Sequence, residues 1–247
     1  MNRFGSGFFG LPPVVKNIIM LNVLMLLANY AAQSVFQVDL NNILGLYFPK
    51  SEQFMPVQII THIFMHGGFW HIFFNMYALY IFGQVLENVW GPKRFFIYYI
   101  ICGLGAALTH ETVIAFQYAH LANSLSTEDL QLVLNEGTAM FKQSQGFVDP
   151  TMLKLQLLLN TPTVGASGAI FGVLLAFGVL FPNTQLMLLL PPIPIKAKYF
   201  VMIYGAIELY LAVTQPGSDI AHAAHLGGML FGYILIRYWR KTTNSLY

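Results

Sequence analysis

The chain has 247 residues, of which 56% are apolar and only 9% are charged. Soluble domains carry about 25% charged residues, so this composition excludes a water-soluble globular protein and predicts an all-α membrane protein. The net charge of +2 comes from scattered cations, and without a basic stripe among aromatic residues no nucleic-acid partner is expected.

Six apolar segments meet or approach the length of about 20 residues that a helix needs to cross a bilayer. They span residues 17–36, 58–86, 94–116, 167–182, 197–214 and 222–239. The first follows Lys16 and lacks a convincing small-residue cleavage site near Gln33–Phe36, so we interpret it as an anchor and not as a removable signal. The fourth is short, and we expect it to start below the membrane surface, where it would leave a water-accessible dip.

The distribution of cations predicts the orientation of these segments. With the N-terminus in the cytoplasm, nine cations fall on the inner side and three on the outer side, which are Lys50, Lys142 and Lys154. We therefore expect both termini to be cytoplasmic.

Two outer loops are long. Residues 37–57 mix apolar side chains with prolines, which predicts an interfacial loop half sunk in the outer leaflet. Residues 117–162 hold an amphipathic stretch from Thr127 to Phe141, capped by Ser126 or Thr127, and a second short one from Thr151 to Leu159.

Polar and ionisable side chains inside spans are costly, so each is a candidate for function. The second segment carries His62, His66, His71 and Asn75, the fourth begins at Ser167, and the sixth carries His222 and His225.

Ser167 stands in Gly165-Ala166-Ser167-Gly168 at the predicted start of a helix. Its glycine neighbours permit a sharp turn and a close approach to a substrate, and free N–H groups at a helix N-terminus favour a developing anion. This pattern fits a catalytic nucleophile, but a serine that only caps a buried helix gives the same pattern.

Small residues form matching stripes on the fourth and sixth segments, at positions 168, 172 and 176 and at positions 224, 228 and 232. Such stripes let membrane helices pack closely, which would bring His225 to Ser167 as its base. His222 competes for this role, but Gly228 lies closer along the helix to His225, which favours His225.

His71 and Asn75 are four residues apart and share one helix face. They could supply side-chain donors to an oxyanion, with the Ser167 N–H as a third. A purely structural hydrogen-bonded pair is the alternative, and we interpret His62 and His66 as structural or loop-anchoring.

Other site chemistries find less support. His62 and His66 have the histidine spacing of a metalloprotease helix, but they lack its glutamate. Cys102 is the only cysteine, which excludes an intramolecular disulfide or a cysteine-based zinc site. A haem-binding electron carrier stays open as an alternative of another class; our interpretation includes no metal and no cofactor.

Together these motifs resemble the rhomboid intramembrane serine proteases, with a match from about Val14 to Trp239. The motifs that carry it are His71-x-x-x-Asn75, Gly165-x-Ser167-Gly168 and Ala224-His225-x-x-Gly228-x-x-x-Gly232. Further fits are Thr61, His62, His66, Glu87 and Gly91.

The resemblance implies a six-helix bundle formed as a single membrane domain over residues 1–247, in a bacterial inner membrane. It implies Ser167 as nucleophile, His225 as general base without an acidic third member, and an oxyanion hole of His71, Asn75 and the Ser167 N–H. It also implies a mobile cap at Gln215–Ala221, a lateral gate at Lys198–Leu211, and the transmembrane helix of a single-pass membrane protein as substrate. A catalytically inactive relative that binds membrane proteins is the alternative within the family.

Two positions depart from the family pattern. Val57-Gln58 stands where the family often has Trp-Arg before the second span, so we expect the first outer loop to be anchored by other contacts. Phe171 stands where a tyrosine often packs on the histidine, so an aromatic ring is kept without its hydroxyl.

Overall fold

The computed structural model describes residues 10–187, 192–215 and 221–242, and most of these described residues are helical. The helices are α1 (Pro13–Phe36), α2 (Asn41–Leu44), α3 (Gln58–Thr61), α4 (Phe69–Ala78), α5 (Gln84–Trp90), α6 (Pro92–Ser124), α7 (Thr127–Lys142), α8 (Pro150–Asn160), α9 (Ser167–Leu180), α10 (Ala197–Thr214) and α11 (His222–Thr242). A 3₁₀ turn, His62–Phe64, follows α3, and a π-helical turn, Leu79–Gly83, joins α4 to α5. A short antiparallel hairpin, which the sequence did not predict, joins α9 to α10 through β1 (Gln185–Met187) and β2 (Pro194–Lys196).

Within the described residues, four helices have the length and hydropathy of membrane spans: α1, the continuous helical stretch Phe69–Trp90, α6 and α10. Their outward faces carry large exposed apolar side chains such as Leu24, Phe74 and Met202, as expected of surfaces solvated by lipid. The helical membrane protein predicted from composition is therefore supported, while the count of six spans stays a prediction. Helix α9 is apolar but has only 14 residues.

Two predicted segment boundaries were wrong. The second span begins at Phe69 and not at residue 58, because the chain is extended at Met65 and the Gly67-Gly68 pair that follows has low helix propensity. His62 and His66 therefore precede the span instead of lying on it. The third segment, predicted as 94–116, continues as one helix to Ser124.

Helix α9 lies at the centre of the bundle, with α6, α10 and α11 packed around it. A methyl group on Gly228 of α11 would overlap the backbone of Gly168, and one on Gly172 would lie 3.0 Å from the Gly228 carbonyl oxygen. Part of the predicted stripe contact is thus present. At Gly232, however, the nearest neighbours of an added β-carbon are Tyr98 and Cys102 of α6.

The two helices predicted within residues 117–162 are present as α7 and α8, while their location on the outer side of the membrane stays a prediction. The Ser126 hydroxyl accepts the Asp129 N–H at 3.1 Å, and the Asp149 carboxylate accepts two N–H groups at the start of α8. With the end of α6 they form a second apolar cluster around Val133, Leu155 and Leu159.

Gln58 anchors the first outer loop. Its fully buried side chain donates to the carbonyl oxygens of Ile43 and Gln53, both at 3.0 Å, and accepts the Met55 N–H at 3.0 Å. The loop is further joined to the segment before α9 by paired backbone hydrogen bonds between Leu46 and Thr163. The departure at Val57-Gln58 thus leaves the loop anchored by an amide. Its position at the membrane interface stays a prediction.

Candidate active site

Ser167 is the first residue of α9 and is partly buried. The chain enters the helix through Gly165, which has a φ of 130°, a conformation that only glycine adopts without strain. The Gly165 N–H donates to the His62 carbonyl oxygen at 2.9 Å. The turn before the serine is therefore held by the backbone of the 3₁₀ turn that precedes the second span.

His225 of α11 lies within hydrogen-bond distance of the serine. Its Nε2 is 2.8 Å from the Ser167 Oγ. This approach is possible because Gly168 and Gly228 bring the backbones of α9 and α11 into contact. Of the two histidines on α11, the structure brings His225 to the serine, while the Nδ1 of His222 faces another partner.

Phe171, one turn along α9, stacks on the imidazole of His225 with ring centroids 4.1 Å apart and an interplanar angle of 7°. It also stacks on Tyr204 of α10, with ring centroids 5.1 Å apart and an interplanar angle of 4°. The ring of Phe171 thus holds the plane of the imidazole. Ring packing on the histidine is kept although the hydroxyl of the usual tyrosine is missing.

His71 of α4 packs against the turn that precedes the serine. A β-carbon at position 165 would come within 2.8 Å of the His71 Nε2, so the absence of a side chain at Gly165 is what lets the imidazole lie there. The Asn75 Nδ2 donates to the His66 Nε2 at 3.2 Å, and the ring of His66 meets that of His71 edge-on at 4.9 Å. His66 thus positions both residues that we predict as oxyanion donors.

A carboxylate that the sequence reasoning did not select completes the cluster. The Glu208 Oε2 on α10 is 2.9 Å from the His225 Nδ1 and 2.6 Å from the His222 Nδ1. The resemblance implied a histidine without an acidic partner, whereas the structure places one in hydrogen-bond distance. The signal was available, because Glu208 is an ionisable residue within the predicted fifth span.

A narrow cleft opens beside the serine. It is lined by Ser167, Gly165, Gly168, Ala106, Ala221 and His110. The His110 Nε2 lies 2.9 Å from the Thr163 hydroxyl, which fixes the chain just before Gly165. Of the predicted cap, residues 216–220 lie outside the described residues; the predicted gate lies on α10, the helix that carries Glu208.

Comparison with known proteins gives a family match over most of the chain. The Rhomboid domain matches residues 53–242. Rhomboid protein 1, mitochondrial, of Saccharomyces cerevisiae is 29% identical over 189 residues, which cover 76% of this chain and 43% of the yeast protein.

Two bacterial proteins are similar over a comparable share of the chain. Rhomboid protease AarA of Providencia stuartii is 26% identical, covering 73% of this chain and 57% of that protein. Putative rhomboid protease YdcA of Bacillus subtilis is 26% identical, covering 72% and 64%. The chain spans about half the length of the curated relatives it matches.

Proposed function

The chain belongs to the rhomboid family, and on that premise we propose that it is an intramembrane serine endopeptidase that cleaves single-pass membrane proteins near the outer membrane edge. The observation that carries the proposal is the distance of 2.8 Å between the Ser167 Oγ and the His225 Nε2. A hydroxyl within reach of an imidazole that can accept its proton is an activated nucleophile. The names of the two bacterial relatives, which call them proteases or putative proteases, agree with this assignment.

In the proposed reaction, Nε2 of His225 takes the proton of the Ser167 hydroxyl while Oγ bonds to the scissile carbonyl carbon. The carbonyl π electrons move to its oxygen, and His71, Asn75 and the Ser167 N–H are the proposed donors to that oxyanion. The imidazolium then gives its proton to the leaving amine as the C–N bond breaks. The same imidazole then takes a proton from a water molecule while the water oxygen bonds to the acyl carbon. As the ester bond between that carbon and Oγ breaks, the imidazolium returns the proton to Oγ.

The short central helix supports a site below the membrane surface. Fourteen residues span about 21 Å, less than the hydrocarbon thickness of about 30 Å. If the far end of α9 reaches one surface, Ser167 at its start lies several ångströms inside the other. We propose the bacterial inner membrane, with cytoplasmic termini, as the location, from the charge distribution and the family resemblance.

The test is cleavage of a single-pass substrate by the wild type, Ser167→Ala and His225→Ala in liposomes. We expect cleavage by the wild type alone. Equal cleavage by all three would refute the proposal, and the absence of any cleavage across a panel of substrates would favour the inactive relative.

A fluorophosphonate probe separates the two histidines. We expect it to label Ser167 in the wild type and in His222→Ala, and not in His225→Ala. An absorption spectrum without a haem band would remove the electron-carrier alternative.

A further inference from the structure

The buried carboxylate of Glu208 needs an explanation in an apolar helix. Glu208 is 5% exposed, on the face of α10 that turns toward α11. An ionised carboxylate in such a place is costly unless it is hydrogen-bonded. Its Oε2 satisfies this need by facing both Nδ1 atoms, at 2.6 Å and 2.9 Å.

The contacts form a chain from the carboxylate through the imidazole to the hydroxyl. Glu208 Oε2 lies at 2.9 Å from Nδ1 of His225, and Nε2 of the same ring lies at 2.8 Å from the Ser167 Oγ. An ionised carboxylate only accepts hydrogen bonds, so Nδ1 must carry the proton of the neutral ring. Nε2 then has a free lone pair, which a general base at this position requires.

We propose that Glu208 is a positioning residue that completes a Ser167–His225–Glu208 triad. It holds His225 in the tautomer with the proton on Nδ1 and lowers the cost of the positive charge that the ring gains when it takes the Ser167 proton. The proton moves from Oγ to Nε2 and no further, and Glu208 stays ionised throughout. This inference rests on the proposed function, because it assigns a role within the same reaction.

His222 supports the carboxylate from the other side. Its Nδ1 donates to the same oxygen at 2.6 Å, and its ring stands nearly perpendicular to that of His225, at 87°. Two donors on one oxygen fix the carboxylate in place. His222 is therefore assigned to holding Glu208, and its replacement by asparagine, which keeps an N–H donor, is expected to cost less activity than replacement by alanine.

Glu87 is a matched control, since it is a second buried glutamate with a purely structural set of contacts. It is 2% exposed and accepts the N–H groups of Val14 and Val15 at 2.9 Å and 2.8 Å, which caps the start of α1. Loss of its charge is expected to weaken the fold without touching the chemistry of Ser167.

The experiment compares Glu208→Gln, Glu208→Asp and Glu87→Gln in the full chain, with Ser167→Ala as the inactive reference. Purified proteins in liposomes are assayed on a single-pass substrate, and thermal unfolding is measured in parallel. We expect Glu208→Gln to lower kcat about 100-fold or more, by analogy with other triads in which loss of the acid leaves the wrong tautomer. KM should change little, fluorophosphonate labelling of Ser167 should slow in step with kcat, and Glu208→Asp should recover part of the loss.

Several outcomes overturn the inference. If Glu208→Gln has the kcat of the wild type while Ser167→Ala is inactive, the role of Glu208 is refuted. The proposed protease function stands in that case. Cleavage by Ser167→Ala would instead refute the function itself. Equal loss of thermal stability in Glu208→Gln and Glu87→Gln, with kcat per folded molecule unchanged in both, would reduce Glu208 to a structural residue.

Two further measurements do not require the Glu208 variants to fold. The ¹⁵N chemical shifts of histidine-labelled wild type, assigned with His225→Ala, must place the proton of His225 on Nδ1; a proton on Nε2 refutes the proposal.

Glu208, His222 and His225 also have ligand atoms within 4.8 Å of one another, a spacing that could hold a metal ion. Activity must therefore persist in the presence of a chelator, and its loss would assign the cluster to a cation.

Discussion

The ring of Phe171 lies parallel to the imidazole of His225, with centroids 4.1 Å apart. Side chains on α9 and α10 thereby fix the plane of the imidazole. Ser167 contacts Nε2, Glu208 contacts Nδ1, and the ring of Phe171 covers one face.

Removal of this stack is expected to slow the reaction. Phe171→Ala should lower kcat about tenfold, because an aromatic pair contributes about 0.5–1.5 kcal/mol beyond its burial, and the loss leaves the imidazole free to tilt. Phe171→Tyr keeps the ring and should stay near the wild type. Steady-state cleavage of a single-pass substrate measures both, and equal kcat for the alanine variant and the wild type would contradict an orienting role.

The contact between α9 and α11 should be intolerant of a single methyl group. Gly228→Ala places a β-carbon in the backbone of Gly168, and overpacking of this kind costs about 1–3 kcal/mol. Gly137→Ala on α7 makes the same chemical change where the nearest atoms lie at 3.6 Å, an ordinary contact. We expect a lower thermal unfolding temperature for the first variant and an unchanged or slightly higher one for the second. Equal temperatures would contradict the close helix contact.

The predicted oxyanion donors should affect kcat more than KM. Loss of one such donor costs about 100-fold or more in comparable enzymes, so His71→Ala and Asn75→Ala should each show a large fall in kcat with a small change in KM. Asn160→Ala provides the control, because that buried amide donates to the Gln156 carbonyl oxygen within α8. It should alter stability alone. Normal kcat in both site variants would leave the pair with a structural role.

Acid should destabilise the protein through His66. Burial, and secondarily the nearby His71, lowers the pKa of His66 to about 3, from an ordinary value of 6.5. A group whose pKa is lower in the folded state stabilises the fold above its unfolded pKa, and this contribution is lost as the pH falls from 6.5 toward 3.

His66→Gln isolates that contribution. The glutamine keeps an acceptor for the Asn75 amide but has no titrating group, so its unfolding temperature should fall less than that of the wild type over the same pH range. Parallel curves for the two proteins would contradict a neutral buried His66.

Much of the candidate site could be predicted because its residues repeat at helix spacing. His71 and Asn75, and the small residues around Ser167 and His225, lie at intervals of three or four within single helices, and such intervals are visible in a sequence. The predicted surface helix from Thr127 likewise follows from a capping serine and an amphipathic pattern, and it is present as α7.

Other features depend on contacts that leave no local pattern. Glu208 stands out as an ionisable residue within an apolar segment, but it meets His225 across two helices and 17 positions of sequence. The sequence therefore marks Glu208 as a candidate for function without indicating its partner. The start of the second span was misplaced because the apolar composition continues from residue 58 through the break at Met65–Gly68. An apolar composition indicates burial or lipid contact, but it does not indicate the residue at which a helix begins or ends.

If α10 is the lateral gate that the family resemblance implies, the hydrogen bond between Glu208 and His225 would couple its movement to the chemistry. Its two ends belong to α10 and α11, and α10 is the helix at which a lateral opening is expected. An outward displacement of α10 would draw the Glu208 carboxylate away from Nδ1 of His225. The open position of α10 would then compete with the tautomer that carries its proton on Nδ1. By reciprocity, a contact that favours the seated carboxylate would also favour the closed helix, and we would then expect cleavage of a bound substrate to follow the return of α10.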